Sequence, residues 1–401
     1  MCGGIISETL VQALAAEGID LPSTVVQRGI DSYVLHTDTG AVRVDTPLQE
    51  RRIAAVHRGG GPRDLEERRW GGLDGYLLAL AQQRGARVVP GKVADIGWDD
   101  GAPRVRVDGV TRSYDLLVGA TGVNSGAWLL YEKAGLKSRP PQTTRAYITE
   151  LKLGAEAITQ HFGSSMHLFL LPLPRLDCAA IIPKGDFLTV CLLGRRIDEE
   201  LVTRFFKDPM VRGCFPESWV PAQGACHCGP KINVREASQP FMDRMVLIGD
   251  CGVTRLYKDG LGAAFRTAKA AAGTAVFNGI AAADFKRHYW PIYRSIARDN
   301  RYGILLFAVV HRITKLRPLL MGVLNTAGTE QRHLAGDRRM SLVLWDMFTG
   351  SAPYRGIYFR TLAPRFIAGF LAGCLRGTLS AWREKGAVSR NEWRAAGPRV
   401  P

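Results

Sequence analysis

No run of apolar residues in this 401-residue chain approaches the roughly 20 that a membrane-spanning helix needs, which excludes a multi-span architecture. No internal repeat or low-complexity tract is present, which removes solenoids, collagen and disordered linkers. The opening residues, MCGGIISETL, lack a basic stretch followed by an apolar core, so no secretory signal is read there. The eight cysteines are accordingly expected to be thiols of a reducing cytoplasm and not a disulfide framework. Cys226-His227-Cys228 is their only cluster, and no second pair at a zinc-site spacing completes it, so no metal centre is expected. Acidic residues are short in supply: 37 Asp and Glu against 53 Lys and Arg leave a net charge of +16.

That charge is unevenly placed. From Arg301 to Pro401 there are 16 Lys or Arg and 5 Asp or Glu, an excess of 11 in the last quarter. The same quarter holds two short apolar runs, Gly303 to Val310 and Phe366 to Leu375, interleaved with Arg312, Lys315, Arg317, Arg360, Arg365 and Arg376. Helices of this kind lie in the interface of an anionic membrane or form ordinary core helices with solvated arginines. No nucleic-acid recognition motif accompanies the basic residues, so nucleic acid is not an expected partner.

Composition is otherwise that of a packed globular protein, 46% hydrophobic and 22% charged, and the length allows two domains or one large domain with an insertion. Ser7 is placed to cap a helix carrying Leu10, Val11 and Leu14, with Gly18 beyond its end. Tyr33 to Leu35 and Val42 to Val44 read as extended, Leu73 to Arg84 as a helix, and short strands near Val88, Val93 to Ile96 and Val105 to Val107 as a meander with Asp-Gly turns. Tyr114 to Gly119 reads as a buried strand entering the turn Gly119-Ala120-Thr121-Gly122. From about Arg145 to Gly194 the pattern becomes mostly strands, with Pro183-Lys184-Gly185 between the last two, and an α/β layer resumes at Met245. A sheet inserted into a discontinuous α/β domain explains this order.

The strongest chemical signal is Met245 to Ala275: a strand, Gly249-Asp250, a loop, then Asp259-Gly260-Leu261-Gly262-Ala263-Ala264-Phe265 opening an alanine-rich helix. Such a helix start offers free N–H groups and a positive dipole end to an anionic or electron-rich ligand group. A carboxylate after the strand can accept hydrogen bonds from sugar hydroxyls, and the glycines let backbone approach a flat ring.

RMVLIGDCGVTRLYKDGLGAAFRTAKAAA resembles the second flavin-binding motif of the p-hydroxybenzoate hydroxylase superfamily, in its geranylgeranyl reductase branch. DLLVGATGVNS, Asp115 to Ser125, is similar to that family's second strand and turn, and CAAIIPKGDFLTVCLLG to its substrate-domain strand pair. Together these cover about residues 1 to 285. The resemblance implies FAD as cofactor, with Asp250 on the ribityl chain and Gly260, Leu261 and Gly262 beside the pyrimidine side of the flavin ring. It further implies Gly3, Gly119, Thr121, Gly122 and Gly249 around the cofactor, Cys2 facing the cavity for an isoprenoid chain as the catalytic candidate, and Pro183 with Lys184 on the substrate side. NAD(P)H or another reductant would be the electron donor. His57, Arg58 and Lys184 are polar candidates for the flavin edge or a lipid phosphate; each alone reads as a solvated side chain, and His57 is left out of the expected site.

Two departures bear on this. Thr121 stands where the family has an Asp that organises the pyrophosphate region, and the family's first motif, G-x-G-x-x-G, is absent. Gly59-Gly60-Gly61 continues as Pro62-Arg63-Asp64 and reads as a loop. Met1-Cys2-Gly3-Gly4 resembles the segment that follows the family's first βαβ unit, which places a unit of about 30 residues or more ahead of Met1. A parallel sheet without that unit exposes an apolar edge, which predicts poor solubility.

The expected fold is therefore α/β: an N-terminally incomplete Rossmann-like FAD-binding domain in 1–140 and 231–285, an inserted antiparallel substrate sheet in 141–230, and a basic helical extension in 286–401. The expected function is FAD-dependent reduction of C=C bonds in an isoprenoid or other apolar substrate, in the cytoplasm at the inner membrane face. A flavin monooxygenase or quinone-linked dehydrogenase on the same fold, and a non-catalytic membrane-associated protein that has lost FAD, remain open alternatives.

Overall fold

The structure, a computed structural model, describes residues 3–46, 53–59, 72–220, 227–333 and 337–378. Cys2, Gly60, Gly61 and Cys226 lie outside the described residues. Its central element is an eight-stranded sheet ordered His227–Cys228, Gln142–Lys152, Phe187–Gly194, Leu176–Lys184, Ser165–Leu170, Ser32–Thr37, Gly40–Asp45, with Lys231–Arg235 also on Gln142–Lys152. The antiparallel pairs of 142–194 are those the alternating pattern predicts. The sheet also takes in the hairpin Ser32–Thr37 and Gly40–Asp45, and Ser32–Thr37 runs parallel to Ser165–Leu170.

Strand alternation gives this sheet two faces with different partners. One carries Phe169, Ile181, Leu188, Val190 and Leu192 and packs on helices Ala155–His161 and Glu199–Lys207. The other carries Tyr33, Leu35, Met166, Leu168, Leu170 and Ile182 and packs on helices Arg317–Arg332 and Arg339–Thr349. Trp345, fully buried, stacks on Tyr33 with ring centroids 6.0 Å apart. The basic C-terminal quarter is thus one wall of the core, because Val323, Ala327, Met340, Leu344 and Trp345 recur at helical spacing on the inward side.

Two smaller sheets flank it. Ile5–Ile6, Ile53–Val56 and Val26–Ile30 form an antiparallel set, and Phe241–Met242, Met245–Leu247 and Leu117–Gly119 form a mixed one. A separate meander, Val93–Asp99, Ala102–Val107 and Val110–Ser113, turns at Asp100-Gly101 and Asp108-Gly109, where all four residues have positive φ as a type I′ turn demands. Ser7 caps helix Glu8–Ala16 by accepting from Leu10 N, and Gly18 follows its end at φ 69°. Two expectations are corrected. Val88 is exposed irregular chain, and the strand expected over Tyr114 to Gly119 spans only Leu117–Gly119, with Tyr114 and Val118 exposed, because among the described residues only Met245–Leu247 pairs with it.

Removing the indole from Trp345 leaves a large cavity between sheet and helix. Trp345→Ala is expected to lower unfolding free energy by about 3–5 kcal/mol, read from the urea midpoint.

Candidate functional site

Met245–Leu247, buried along its length, pairs in parallel with Leu117–Gly119 so that Leu247 faces Gly119. Both strands therefore end together, and their carboxyl ends open onto Gly119 to Gly122 and Gly249-Asp250, the position where open parallel sheets receive ligands. Gly249 turns at φ 65° and donates to the Thr267 hydroxyl at 2.9 Å, which ties the turn to helix Gly260–Phe277. Asn233, buried in a neighbouring strand, donates to the Asp250 carbonyl at 2.9 Å. Thr121 is held by Tyr131, hydroxyl to hydroxyl at 3.0 Å.

The helix that follows starts without a side-chain cap. Asp259 sits in the left-handed region at φ 50°, and its carboxylate makes no capping hydrogen bond to the first N–H groups. It is held there by Ser7, whose hydroxyl donates at 3.2 Å, and by Arg255 at 3.0 Å. A side chain at Gly260 would meet the Thr254 hydroxyl at 3.1 Å and Asp250 Oδ1 at 3.8 Å, and one at Gly262 would run into Asp259. Burial pushes the Asp250 carboxyl up, against the opposing pull of Thr254 and the Arg58 guanidinium. Uncapped N–H groups, glycine at 260 and a half-buried Asp250 carboxylate beside it are groups that could hold the ribityl chain and ring of a flavin. Among the described residues no glycine-rich turn of G-x-G-x-x-G spacing offers a cradle for its pyrophosphate.

A second group lies beside the first, and sequence reasoning missed half of it. His57, expected to be solvated, is 1% exposed, and Lys184 is 0% exposed. His57 Nδ1 lies 3.4 Å from Oε1 of Glu150, whose Oε2 has no hydrogen-bond partner among the described residues. Thr189 donates to the same Oε1 at 3.4 Å. Glu150 pairs with Thr189, and Thr189 with Ile182, two residues before Lys184 on its strand, so these side chains share the face that also carries Tyr33 and Leu35. Gly4 must be glycine at φ 64°, since a Cβ there would lie 2.0 Å from the Val56 carbonyl and 2.8 Å from Lys184 Nζ. Gly3 lies over Ile182 and Cys191 of the same face. Glu150 had a signal available: it stands in phase with buried Ala146 and Ile148, a charge on the apolar side of a strand.

The two groups face a common region. Leu261 and Phe265 of the glycine-rich helix pack against the apolar cluster that includes Val56, the residue before His57, and Arg58 bears electrostatically on Asp250 while its guanidinium grips Asp74 at 2.8 Å. Lys184 and Gly3 thus lie on the sheet side and Asp250, Gly260, Leu261 and Gly262 on the helix side, while Pro183, paired with Leu188, points to the opposite face of the sheet.

Burial alone would raise the Glu150 carboxyl, but its contact with His57 and the charge of Lys184 outweigh that and hold it below its ordinary 4.5. A depressed carboxylate stabilises the fold above the unfolded-state pKa and loses that contribution as pH falls through the folded value. Glu150→Gln is therefore expected to cost about 1–3 kcal/mol at pH 7, with the gap to the parent closing as pH drops below about 4.5, measured by urea unfolding across pH.

No protein-family model and no curated protein sequence matches the chain. Solved structures do. A geranylgeranyl bacteriochlorophyll reductase-like protein from Thermoplasma acidophilum superposes with a TM-score of 0.62 at 14% identity, covering 90% of this chain and 88% of that one. A flavin-dependent brominase gives 0.54 at 14% identity over 98% and 90%, and p-nitrophenol 4-monooxygenase from Pseudomonas putida gives 0.52 at 14% over 87% and 89%. The chain therefore has the mixed α/β fold that a geranylgeranyl reductase-like protein shares with flavin-dependent oxidoreductases and monooxygenases.

Proposed function

We propose that this protein is an FAD-dependent oxidoreductase that reduces a C=C bond of an isoprenoid or other apolar substrate at an anionic membrane surface. The observation that carries the reading is the meeting of the uncapped Gly260-Leu261-Gly262 helix start with a buried Glu150, His57 and Lys184 group over an apolar sheet face. A bound reduced flavin supplies a hydride equivalent, with NAD(P)H or another reductant as its source. Asp250 would accept from ribityl hydroxyls, and the N–H groups of Gly260, Leu261 and Gly262 would face the electron-rich side of the ring. Lys184, at the end of the substrate strand after Pro183, would hold a proton at Nζ for the carbon that must be protonated. Ionised Glu150 keeps a negative charge beside it and orients His57. The wall carrying Ile182 and Leu168 excludes water from an apolar chain. By the family resemblance Cys2 would face the same cavity.

The lipid-surface part rests on the outward sides of the C-terminal helices. No helix among the described residues is long and apolar enough to cross a membrane. Ile304, Leu305 and Val309 on Trp290–Ile313, and Ile367, Leu371 and Leu375 on the helix over 364–378, are exposed, with Arg312, Lys315 and Arg376 among them. Exposed apolar side chains interleaved with arginine and lysine fit insertion into an anionic interface, and the inner face of the cell membrane fits a cytoplasmic protein.

A second reading, oxygenation of an apolar substrate on the same fold, is favoured by the likeness to p-nitrophenol 4-monooxygenase. That no G-x-G-x-x-G turn occurs among the described residues favours a third, a non-catalytic membrane-associated protein without flavin.

Visible absorption of the purified chain after addition of FAD separates these. Flavin binding is expected, and Asp250→Ala or Gly260→Val should weaken it at least tenfold; a folded chain that takes up no flavin overturns the enzyme reading. With flavin bound, Lys184→Met should abolish prenyl-lipid reduction while the flavin spectrum persists, whereas substrate-dependent oxygen uptake into product supports the oxygenase. In vesicle flotation, the parent chain is expected to bind anionic but not neutral vesicles, and the double variant Leu371→Asp, Leu375→Asp to bind neither.

A further inference from the structure

We infer that His36, His167 and Cys214 form a binding site for a divalent ion of the zinc class that fastens the helical cap to the central sheet. All three are buried and lie on the sheet face opposite Glu150 and Lys184, so the site is separate from the one described above. His36 and His167 come from the parallel strands Ser32–Thr37 and Ser165–Leu170, where Val34 pairs with His167 and His36 with Phe169. That register puts both imidazoles on one side, next to each other. Cys214 comes from the segment following the short helix Pro209–Arg212, beneath helix Glu199–Lys207. The residues stand 131 and 178 positions from His36 in sequence, which is why no spacing motif reveals them.

Their donor atoms converge within 4.8 Å of one another. His36 Nε2 is 3.1 Å from His167 Nδ1 and 3.8 Å from Cys214 Sγ. Zinc bonds of about 2.0–2.1 Å to nitrogen and 2.3 Å to sulfur at tetrahedral angles place ligand atoms about 3.3 Å apart for N and N, and about 3.6 Å for N and S. The trio is close to that spacing before any ion enters.

Hydrogen bonds account for only part of this convergence: His36 Nε2 pairs with His167 Nδ1, and the Cys214 thiol has the Met210 carbonyl at 3.3 Å as its acceptor. A neutral imidazole nitrogen has a single in-plane site, either an N–H or a lone pair, so His36 Nε2 can serve one neighbour and here has two. An ion at the centre gives each atom one bond. The chemistry of the set agrees: two imidazoles and a thiolate suit zinc or cobalt and are poor ligands for calcium or magnesium. Ligation takes neutral imidazoles and a thiolate, so binding must expel the Cys214 thiol proton. The Cys214 thiol gives up its bond to the Met210 carbonyl on ligation, and water would take the fourth position.

The full chain, stripped with chelator and titrated with cobalt(II), tests this. Tetrahedral visible bands and a thiolate-to-cobalt charge-transfer band should appear at one equivalent, with release of about one proton per ion. Cys214→Ser should remove the charge-transfer band, and the shape-preserving His167→Asn should weaken binding on the order of 100-fold or more. Cys228→Ser, in the only cysteine cluster of the sequence, should change nothing. Stripped protein with native near-ultraviolet circular dichroism that shows no charge-transfer band, or a band that survives Cys214→Ser and disappears in Cys228→Ser, overturns the assignment.

Discussion

Arg255 is the group on which the site geometry depends. Its guanidinium, 7% exposed, reaches Asp259 at 3.0 Å, the Gly350 carbonyl at 2.8 Å and the Ala352 carbonyl at 2.6 Å, with Asp299 at 3.8 Å. A charge so buried is tolerable only because it is paired and its donors are used. The same contacts fix Asp259 in its left-handed conformation, and that conformation leaves the next helix uncapped. Half-buried Lys258 extends the clamp: it donates to the Asp346 carbonyl at 2.5 Å and lies 4.1 Å from the Tyr354 ring centre. Burial and the neighbouring Arg255 push its ammonium well down in pKa, against the pull of Asp346, Asp299 and Asp259. Asp299 completes the set by accepting from the N–H groups of Tyr354 and Arg355, both at 2.9 Å.

It follows that the C-terminal helices are part of the site's scaffold. Gly350, Ala352 and Asp346 belong to or follow helix Arg339–Thr349, whose Trp345 is packed into the sheet. A displacement of that helix would therefore reach the glycine-rich start through three side chains. On Trp290–Ile313, Asn300 faces inward and holds the loop by its bonds to Leu256 N at 2.9 Å and the Thr254 carbonyl at 2.7 Å, while Leu305 and Val309 face outward. The exposed apolar side proposed to dock on lipid and the frame that holds the 254–256 loop are thus two sides of the same helix.

What the sequence disclosed was local. Ser7 and the Asp-Gly turns each depend on contacts within a few residues, and each is where the pattern placed it; the strand at Met245, though paired with distant Leu117–Gly119, is marked by its own apolar run. What it concealed depends on register between distant segments. Ser32–Thr37 joins the large sheet because its alternation matches Ser165–Leu170, and nothing near residue 32 announces that partner. His57 and Lys184 read as solvated because a lone polar residue usually is; only the packing of distant segments buries both and brings the Glu150 carboxylate to 3.4 Å from His57 and under the charge of Lys184. The C-terminal runs were read by their arginines and leucines, but only the packing decides that Trp345 points in and Leu371 points out.

One residue of alternation separates the two chemistries of the central sheet. Leu35 and Leu168 point toward the C-terminal helices with Glu150 and Lys184, and their neighbours His36 and His167 point the other way with Phe169. A slip of one residue in the parallel pairing would exchange these faces, moving imidazoles into the apolar wall and leucines into the trio. The buried hydrogen bond between Ser32 and Ser165, 2.7 Å at the first pair of the ladder, opposes such a slip, since either hydroxyl would lose its partner. Register in this one pair of strands therefore sets both the face that can line an apolar substrate and the face that can gather a metal, which is why neither could be found from either strand alone.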